Sequence, residues 1–261
     1  MKLRRAEPKD RKGLTELWKT CFHDDKKTVE TFWNRMWDQI AVYLAEEKRP
    51  ASMACAIPAE VVDEAGESRK AMYLYAVCTA PESRGRGLCT ELLTFAEAEL
   101  KKAGTSLLLL VPAENRLFDF YGKMGFCQSL VYGTYRVLSK DTGAKISKIS
   151  PESYENIRQM QLWGNFVSLG IPAYKVLGDW GGLYRIETAD GVCCAAAEKD
   201  GNLLNIRELL PDSREAAAAL GAHLKCTEVQ VCTEGEEPRG MAKSLNGEPC
   251  PENLYLGPAL E

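Results

Sequence analysis

The segment from Met72 to Thr90 constrains this chain more than any other stretch. Met72, Leu74, Ala76 and Cys78 alternate with Tyr73, Tyr75, Val77 and Thr79, so neither face looks solvated and the strand should be central in a sheet. Pro81 stops the ladder, and Arg84-Gly85-Arg86-Gly87 runs straight into Leu88, Leu92, Ala96 and Leu100, an apolar stripe at helical spacing. A buried strand therefore hands over to a helix through two glycines. Glycine takes positive φ and lets backbone approach a ligand, while a first helical turn offers unpaired N–H groups and partial positive charge. The junction reads as an anion site, and Arg84 and Arg86 favour a phosphate or pyrophosphate.

The flanking pattern supplies a domain around it. A short strand near Leu3 to Ala6 precedes helical stripes at Leu14, Leu17, Trp18, Cys21 and at Val29, Phe32, Trp33, Met36. Strands follow at Ile40 to Ala45, Met53 to Val62 and Met72 to Thr79, then the helix from Gly87, a buried strand at Leu107 to Val111, a helix through Leu117 to Tyr121 and a strand at Val131 to Leu138. Ser139 to Lys145 is polar and marks a boundary, giving domains at 1–140 and 146–261. Beyond it the order restarts. A helix at Pro151 to Leu162 and an aromatic, Gly-rich connection lead to strands at Leu183 to Thr188, Val192 to Glu198 and Leu203 to Leu209, a helix at Asp212 to Leu224 and a strand at Glu228 to Cys232. Asp190-Gly191 and Asp200-Gly201 are hairpin turns.

Composition narrows the partners. With 261 residues the chain suits two domains, and 33 basic against 37 acidic residues give a charge of −4, no footprint for a nucleic-acid backbone. The apolar runs are far shorter than the ~20 residues a membrane span needs. Ten cysteines lie mostly inside apolar runs without a Cys-x-x-Cys pair, as expected of reduced core thiols in a cytoplasmic protein. His23 near Cys21 and His223 near Cys226 are too far apart in sequence to suggest a metal site, so no metal is expected.

Two familiar phosphate motifs do not fit. Gly85, Gly87 and Thr90 fill the Gly-x-Gly-x-x-Gly dinucleotide pattern only in part, and Gly-Lys-Ser/Thr is absent. Arg84-Gly85-Arg86-Gly87-Leu88-Cys89 instead resembles the Gln/Arg-x-x-Gly-x-Gly/Ala loop of the GCN5-related N-acetyltransferase (GNAT) superfamily, with Cys89 replacing the final small residue. The resemblance extends over Met1 to Leu138, including the run from Pro81 to Gly87, the element order, and a tyrosine ahead of a Gly-Phe pair in Phe120-Tyr121-Gly122-Lys123-Met124-Gly125-Phe126. By itself the loop could be an ordinary Gly-rich turn, and Tyr121 a core aromatic.

The resemblance implies an α+β fold, a mixed and mostly antiparallel sheet flanked by helices, followed by a second α+β GNAT-like domain. It implies acetyl-CoA as cosubstrate and an amine of a small molecule or peptide as acceptor, acetylated by direct attack in a ternary complex. Val77, Cys78 and Thr79 would hold the pantetheine arm, and Arg84, Gly85, Arg86, Gly87, Leu88, Cys89 and Thr90 the pyrophosphate, with Asn115 counted among the cofactor-binding residues. A backbone N–H near Val77 would meet the oxyanion, and Tyr121 would be the general acid. A catalytically silent acyl-CoA-binding or scaffold module is the alternative, and homo-oligomerisation stays open.

The proton acceptor is less legible. Met72 to Thr79 contains no acidic residue, which leaves Tyr73, Tyr75, Glu60 and His23 as members of a water relay. A second resemblance, to multidomain acetyltransferases of the Eis kind, implies that the terminal carboxylate of Glu261 enters the site. The second half lacks the loop: at the equivalent place stands Leu209-Leu210-Pro211-Asp212-Ser213-Arg214-Glu215, where Asp212 or Ser213 suits a helix N-cap and the acids would repel pyrophosphate. Trp163, Phe166, Tyr174, Trp180 and Tyr184 read either as lining of an acceptor pocket or as inter-domain packing.

Overall fold

The computed structural model describes residues 1–260; the expectation placed on the Glu261 carboxylate lies outside the described residues. In chain order the elements are β1 (Lys2–Arg5), α1 (Arg11–Phe22), α2 (Lys26–Met36), β2 (Ala41–Glu46), β3 (Pro50–Val62), β4 (Ser68–Thr79), α3 (Leu88–Lys102), β5 (Leu107–Leu110), α4 (Asn115–Lys123) and β6 (Cys127–Leu138). Then come β7 (Lys145–Lys148), α5 (Pro151–Gln161), β8 (Phe166–Ser168), α6 (Gly170–Trp180), β9 (Gly182–Thr188), β10 (Gly191–Asp200), β11 (Leu203–Leu210), α7 (Arg214–His223), β12 (Glu228–Ser244) and β13 (Leu254–Tyr255). The class is α+β with a mixed sheet, and the element order through β6 is the expected one.

Two compact units result. The first comprises Met1–Val61, Ser68–Ser129 and Gly240–Cys250, the second Val62–Glu67, Leu130–Arg239 and Pro251–Glu261. They differ from a division at 140/146 because β12 runs on for 17 residues, past the expected end at Cys232, and carries the chain back into the first unit. Glycine and proline within Glu234-Gly235-Glu236-Glu237-Pro238 read as a break, yet the strand continues through them.

In the first unit, β1 pairs with β2 and β2 with β3, both antiparallel, β4 lies beside β3, and β4 and β5 run parallel. β5 is covered on its other edge by Met241 to Ser244, antiparallel. Apolar stripes seat the helices: Leu14, Leu17 and Trp18 of α1 are buried, as are Val29, Phe32, Trp33 and Met36 of α2. Asp25 caps α2 by accepting from the Thr28 amide at 2.9 Å. On the other side Leu92, Leu93, Ala96 and Leu100 of α3 join Leu108, Leu110, Tyr121, Phe126, Met241 and Leu245 in one core.

In the second unit, β7–β9, β9–β10 and β10–β11 are antiparallel pairs and β11–β12 is parallel. β13 runs parallel to both β6 and β8. The expected loop between Leu162 and Leu183 holds β8 and α6 instead. The α6 sequence Gly-Ile-Pro-Ala-Tyr-Lys-Val-Leu-Gly has poor helix propensity, and burial of Ala173, Tyr174, Val176 and Leu177 on one stripe overrides it.

Candidate active site

The central strand breaks its own alternation. Ala76 has φ +49°, a left-handed conformation that a side chain disfavours, in the middle of β4. Before it, Tyr75 packs edge-on to Trp18 of α1 and tilted to Phe32 of α2, 5.5 and 5.3 Å between ring centres. After it, Val77 packs into the α3 core together with Met72 and Leu74. The expected grouping of Val77 with Tyr73 and Tyr75 is thus corrected: the irregularity at Ala76 turns Val77 to the opposite face. The parallel register of β4 with β5 covers only Ala71 to Tyr73 against Leu107 to Leu109. The ladder with β5 ends at Tyr73, and Val77, Cys78 and Thr79 lie beyond it in β4.

β4 leads into a loop with the conformations the glycines permit. Gly85 has φ +75° and Gly87 +79°, and Gly87 occupies the N-cap of α3 with no side-chain cap. A Cβ on Gly85 would meet nothing within 4 Å, so backbone conformation, not crowding, asks for glycine here. Leu88, Cys89 and Thr90 form the first turn, whose N–H groups have no intrahelical acceptor. The second unit supplies the contrast: Ser213 caps α7 by accepting from the Ala216 amide at 3.1 Å, and Asp212 beside it accepts from the Tyr135 hydroxyl.

The two loop arginines differ. Arg84 Nε donates to the Thr79 carbonyl at 3.2 Å and so pins the loop to the end of β4. Arg86 forks onto Glu47 at 2.5 and 3.3 Å, which holds the Glu47 carboxyl below its ordinary range. Arg49 pairs likewise with Glu82. Sequence reasoning missed Glu47, which lies 39 residues from its partner just after the end of β2. Asn115 is exposed in the first turn of α4. Six residues on, Tyr121 is 6% exposed and packs on Phe120 and Phe126, 5.1 and 5.8 Å between ring centres. Tyr121, Val77 and Cys89 belong to one apolar cluster, so residues from β4, α3 and α4 meet. Burial pushes the Tyr121 phenol well above its usual pKa, and neighbouring Cys89 and Cys78 add to the shift.

Against this geometry, residues 2–128 match a family model described as acetyltransferase (GNAT) domain. Residues 2–128 belong to the GNAT acetyltransferase family. The GNAT match spans the first two segments of the first unit almost residue for residue. No curated protein matches the chain. Solved structures similar to it include a GCN5-related N-acetyltransferase from Anabaena variabilis, 17% identical with TM-score 0.70, covering 94% of this chain and 73% of that one. A probable N-acyltransferase from Enterococcus faecalis is 16% identical at 0.69, covering 94% and 72%. Eis1 from Mycobacterium abscessus is 13% identical at 0.66, covering 94% and 74%. At such identities the likeness concerns the fold.

Other expected residues are scattered through the GNAT domain and beyond it. Tyr73 and Tyr75 stack at 6.2 Å between ring centres, whereas Glu60 is exposed on β3 and His23 is exposed as the left-handed C-cap of α1. In the second unit Tyr174 and Tyr184 are buried in its own interior, Phe166 lies under the Arg158 guanidinium, and Trp163 is 88% exposed. Of the ten cysteines, Cys55, Cys78, Cys193, Cys194 and Cys226 are buried, while Cys127 is exposed. Among the described residues no cluster of three or more His, Cys, Asp or Glu could hold a metal ion, and no helix is long and apolar enough to cross a membrane.

Proposed function

We propose that the chain is an N-acetyltransferase that moves an acetyl group from acetyl-CoA to an amine of a small molecule or peptide. The observation that carries this reading is the end of the β4–β5 ladder at Tyr73, ahead of the uncapped N-terminus of α3. A strand edge released from its neighbour offers backbone groups to an extended amide chain, and an uncapped helix start offers N–H groups to an anion. Both fit one elongated ligand, pantetheine followed by pyrophosphate. Val77, Cys78 and Thr79 hold the arm; Arg84 to Thr90 cradle the pyrophosphate, and Cys89 replaces a smaller residue without losing its backbone N–H. Asn115, at the start of α4, completes the set.

Acetyl-CoA, when bound, supplies an acetyl group activated as a thioester. A backbone N–H near Val77 stabilises the oxyanion. Tyr121 keeps its proton at neutral pH because burial raises its pKa, and it holds that proton for the departing sulfur. The second unit follows the order of the first, strand, two helices, three strands, helix, strand, except that β8 separates α5 from α6, and its capped α7 suits a duplicate that has lost the phosphate cradle.

Titration of acetyl-CoA into the protein and into Gly87→Glu tests the binding step. The wild type should bind, and the variant, with a disfavoured φ and an added negative charge, should lose at least tenfold in affinity. Equal affinity in both overturns the loop assignment. A panel of amine acceptors with thiol-release detection then tests the transfer.

A further inference from the structure

The turn between β2 and β3 lies against the anion loop, and ion pairs cross between them twice. Glu47-Lys48-Arg49 forms this turn, in which the Glu47 amide donates to the Arg49 carbonyl at 3.2 Å. The strand that leaves it is bonded to the end of β4 up to the start of the loop. The Ser52 hydroxyl donates to the Cys78 carbonyl at 2.8 Å, and the Ala80 amide donates to the Ala51 carbonyl at 2.8 Å. Past Ala80 two ion pairs continue the contact. Arg86 forks onto Glu47, Nη2 to Oε1 at 2.5 Å and Nη1 to Oε2 at 3.3 Å, and Arg49 donates to Glu82. The polarity reverses between them, because the turn supplies the acid of one pair and the base of the other.

Arg86 stands between Gly85 and Gly87, both at positive φ. Glycine has the widest backbone freedom of any residue, and at Gly85 an added Cβ would meet nothing within 4 Å, so packing does not restrain the chain there. A fork onto a carboxylate fixes orientation as well as distance. Both terminal nitrogens of Arg86 are committed to Glu47, so its guanidinium faces the turn. We propose that Glu47 is a positioning residue for acetyl-CoA binding, which acts through Arg86 to hold the Gly85–Gly87 backbone in the shape that presents the N–H groups of the loop and of the first α3 turn to the pyrophosphate. Arg49 and Glu82 make the second point of this brace. Ordering the loop before the ligand arrives removes that entropy cost from binding. Arg86 keeps its backbone N–H in the cradle while its side chain maintains the shape. The Arg86 and Glu47 side chains are 52% and 35% exposed, so the pair is partly screened and its loss should weaken affinity by about fivefold. The effect on binding rests on the acetyl-CoA reading above; the ordering of the loop does not.

Nitrogen-15 relaxation of the unliganded protein and titration with acetyl-CoA are carried out on the wild type, Glu47→Gln, Arg86→Gln and the charge-swapped Glu47→Arg/Arg86→Glu. Wild-type amide order parameters of about 0.85 at Gly85, Arg86 and Gly87 should fall toward about 0.6 in both single variants, with affinity about fivefold weaker in each. The swap should restore the order parameters and bring affinity to within about twofold of the wild type. Single variants as rigid as the wild type overturn the brace. A loosened loop with unchanged acetyl-CoA affinity overturns the positioning role. Affinity that rises in Glu47→Gln, or stays low in the swap, overturns it too and assigns the Arg86 side chain to the phosphate itself. If the wild type binds no acetyl-CoA while the single variants still loosen the loop, the brace stands and the acetyltransferase reading falls.

Discussion

Arg158 Nε lies 3.0 Å from Glu208 Oε2, and neither side chain has any solvent exposure. α5 and β11 thus share a buried ion pair in the second unit, joined by the Tyr154 hydroxyl, which donates to Glu208, and by the Val167 carbonyl, which accepts from Arg158 Nη2 at 2.9 Å. A buried pair costs desolvation of both ions, so removing one partner leaves an uncompensated charge. Arg158→Ala should destabilise the protein by about 3–5 kcal/mol in urea unfolding followed by circular dichroism. A loss below about 1 kcal/mol would mean that the remaining carboxylate finds water or a proton at little cost.

Gly133 and Gly235 bring β6 and β12 closer than side chains allow. A Cβ on Gly235 would stand 2.5 Å from the Gly133 Cα and N, backbone atoms that cannot rotate away. Gly235→Ala should therefore lower stability by about 1–3 kcal/mol, the range of overpacking, despite the gain in backbone rigidity. Calorimetry that finds the melting temperature unchanged or raised contradicts the close approach.

Tyr121→Phe keeps the ring packing on Phe120 and Phe126 and removes only the hydroxyl. Acetyl transfer to a working acceptor should fall by about 10²–10⁴-fold, with acetyl-CoA affinity within twofold of the wild type. Because burial raises the phenol pKa, no fall in the wild-type rate between pH 7 and 9 should trace to Tyr121. A variant as fast as the wild type would leave Tyr121 a core aromatic and favour a silent acyl-CoA-binding module.

Acid stability has an assignable component at Asp10. Arg4 grips this carboxylate at 2.6 and 2.8 Å, and the two side chains are 15% and 8% exposed. The Arg4 hydrogen bonds hold the Asp10 pKa at about 2, below its unfolded value of about 4. A depressed carboxylate pKa stabilises the fold above the unfolded value, and that stability is lost as pH falls from about 4 through 2. Asp10→Asn should cost on the order of 2 kcal/mol at pH 7 and flatten part of the stability decline between pH 4 and 2. Parallel denaturant titrations across this range check the slope; identical slopes would remove Asp10 from the account.

Local chemistry made much of this protein readable in one dimension. The stripes of α1, α2 and α3, the hairpin turns, the cap at Ser213 and the positive-φ glycines 85 and 87 depend on residues within a few positions of one another, so periodicity and turn chemistry report them. The same proximity exposed the loop that points to the GNAT family. Tertiary structure alone decided the features whose partners are distant or whose local signals conflict. Ala76 takes a left-handed φ although alanine disfavours it, and that one residue reverses the facing of Val77 and ends a strict alternation. β12 passes through glycine and proline because strand pairing at both ends holds it, and α6 forms from weak helix formers because its apolar stripe is buried. Glu47 with Arg86 and Arg158 with Glu208 meet across 39 and 50 positions. Sequence determined which segments fold locally and where glycines take positive φ; three-dimensional packing decided which charges face one another, because those energies depend on spatial separation and solvent exclusion and leave no periodic trace along the chain.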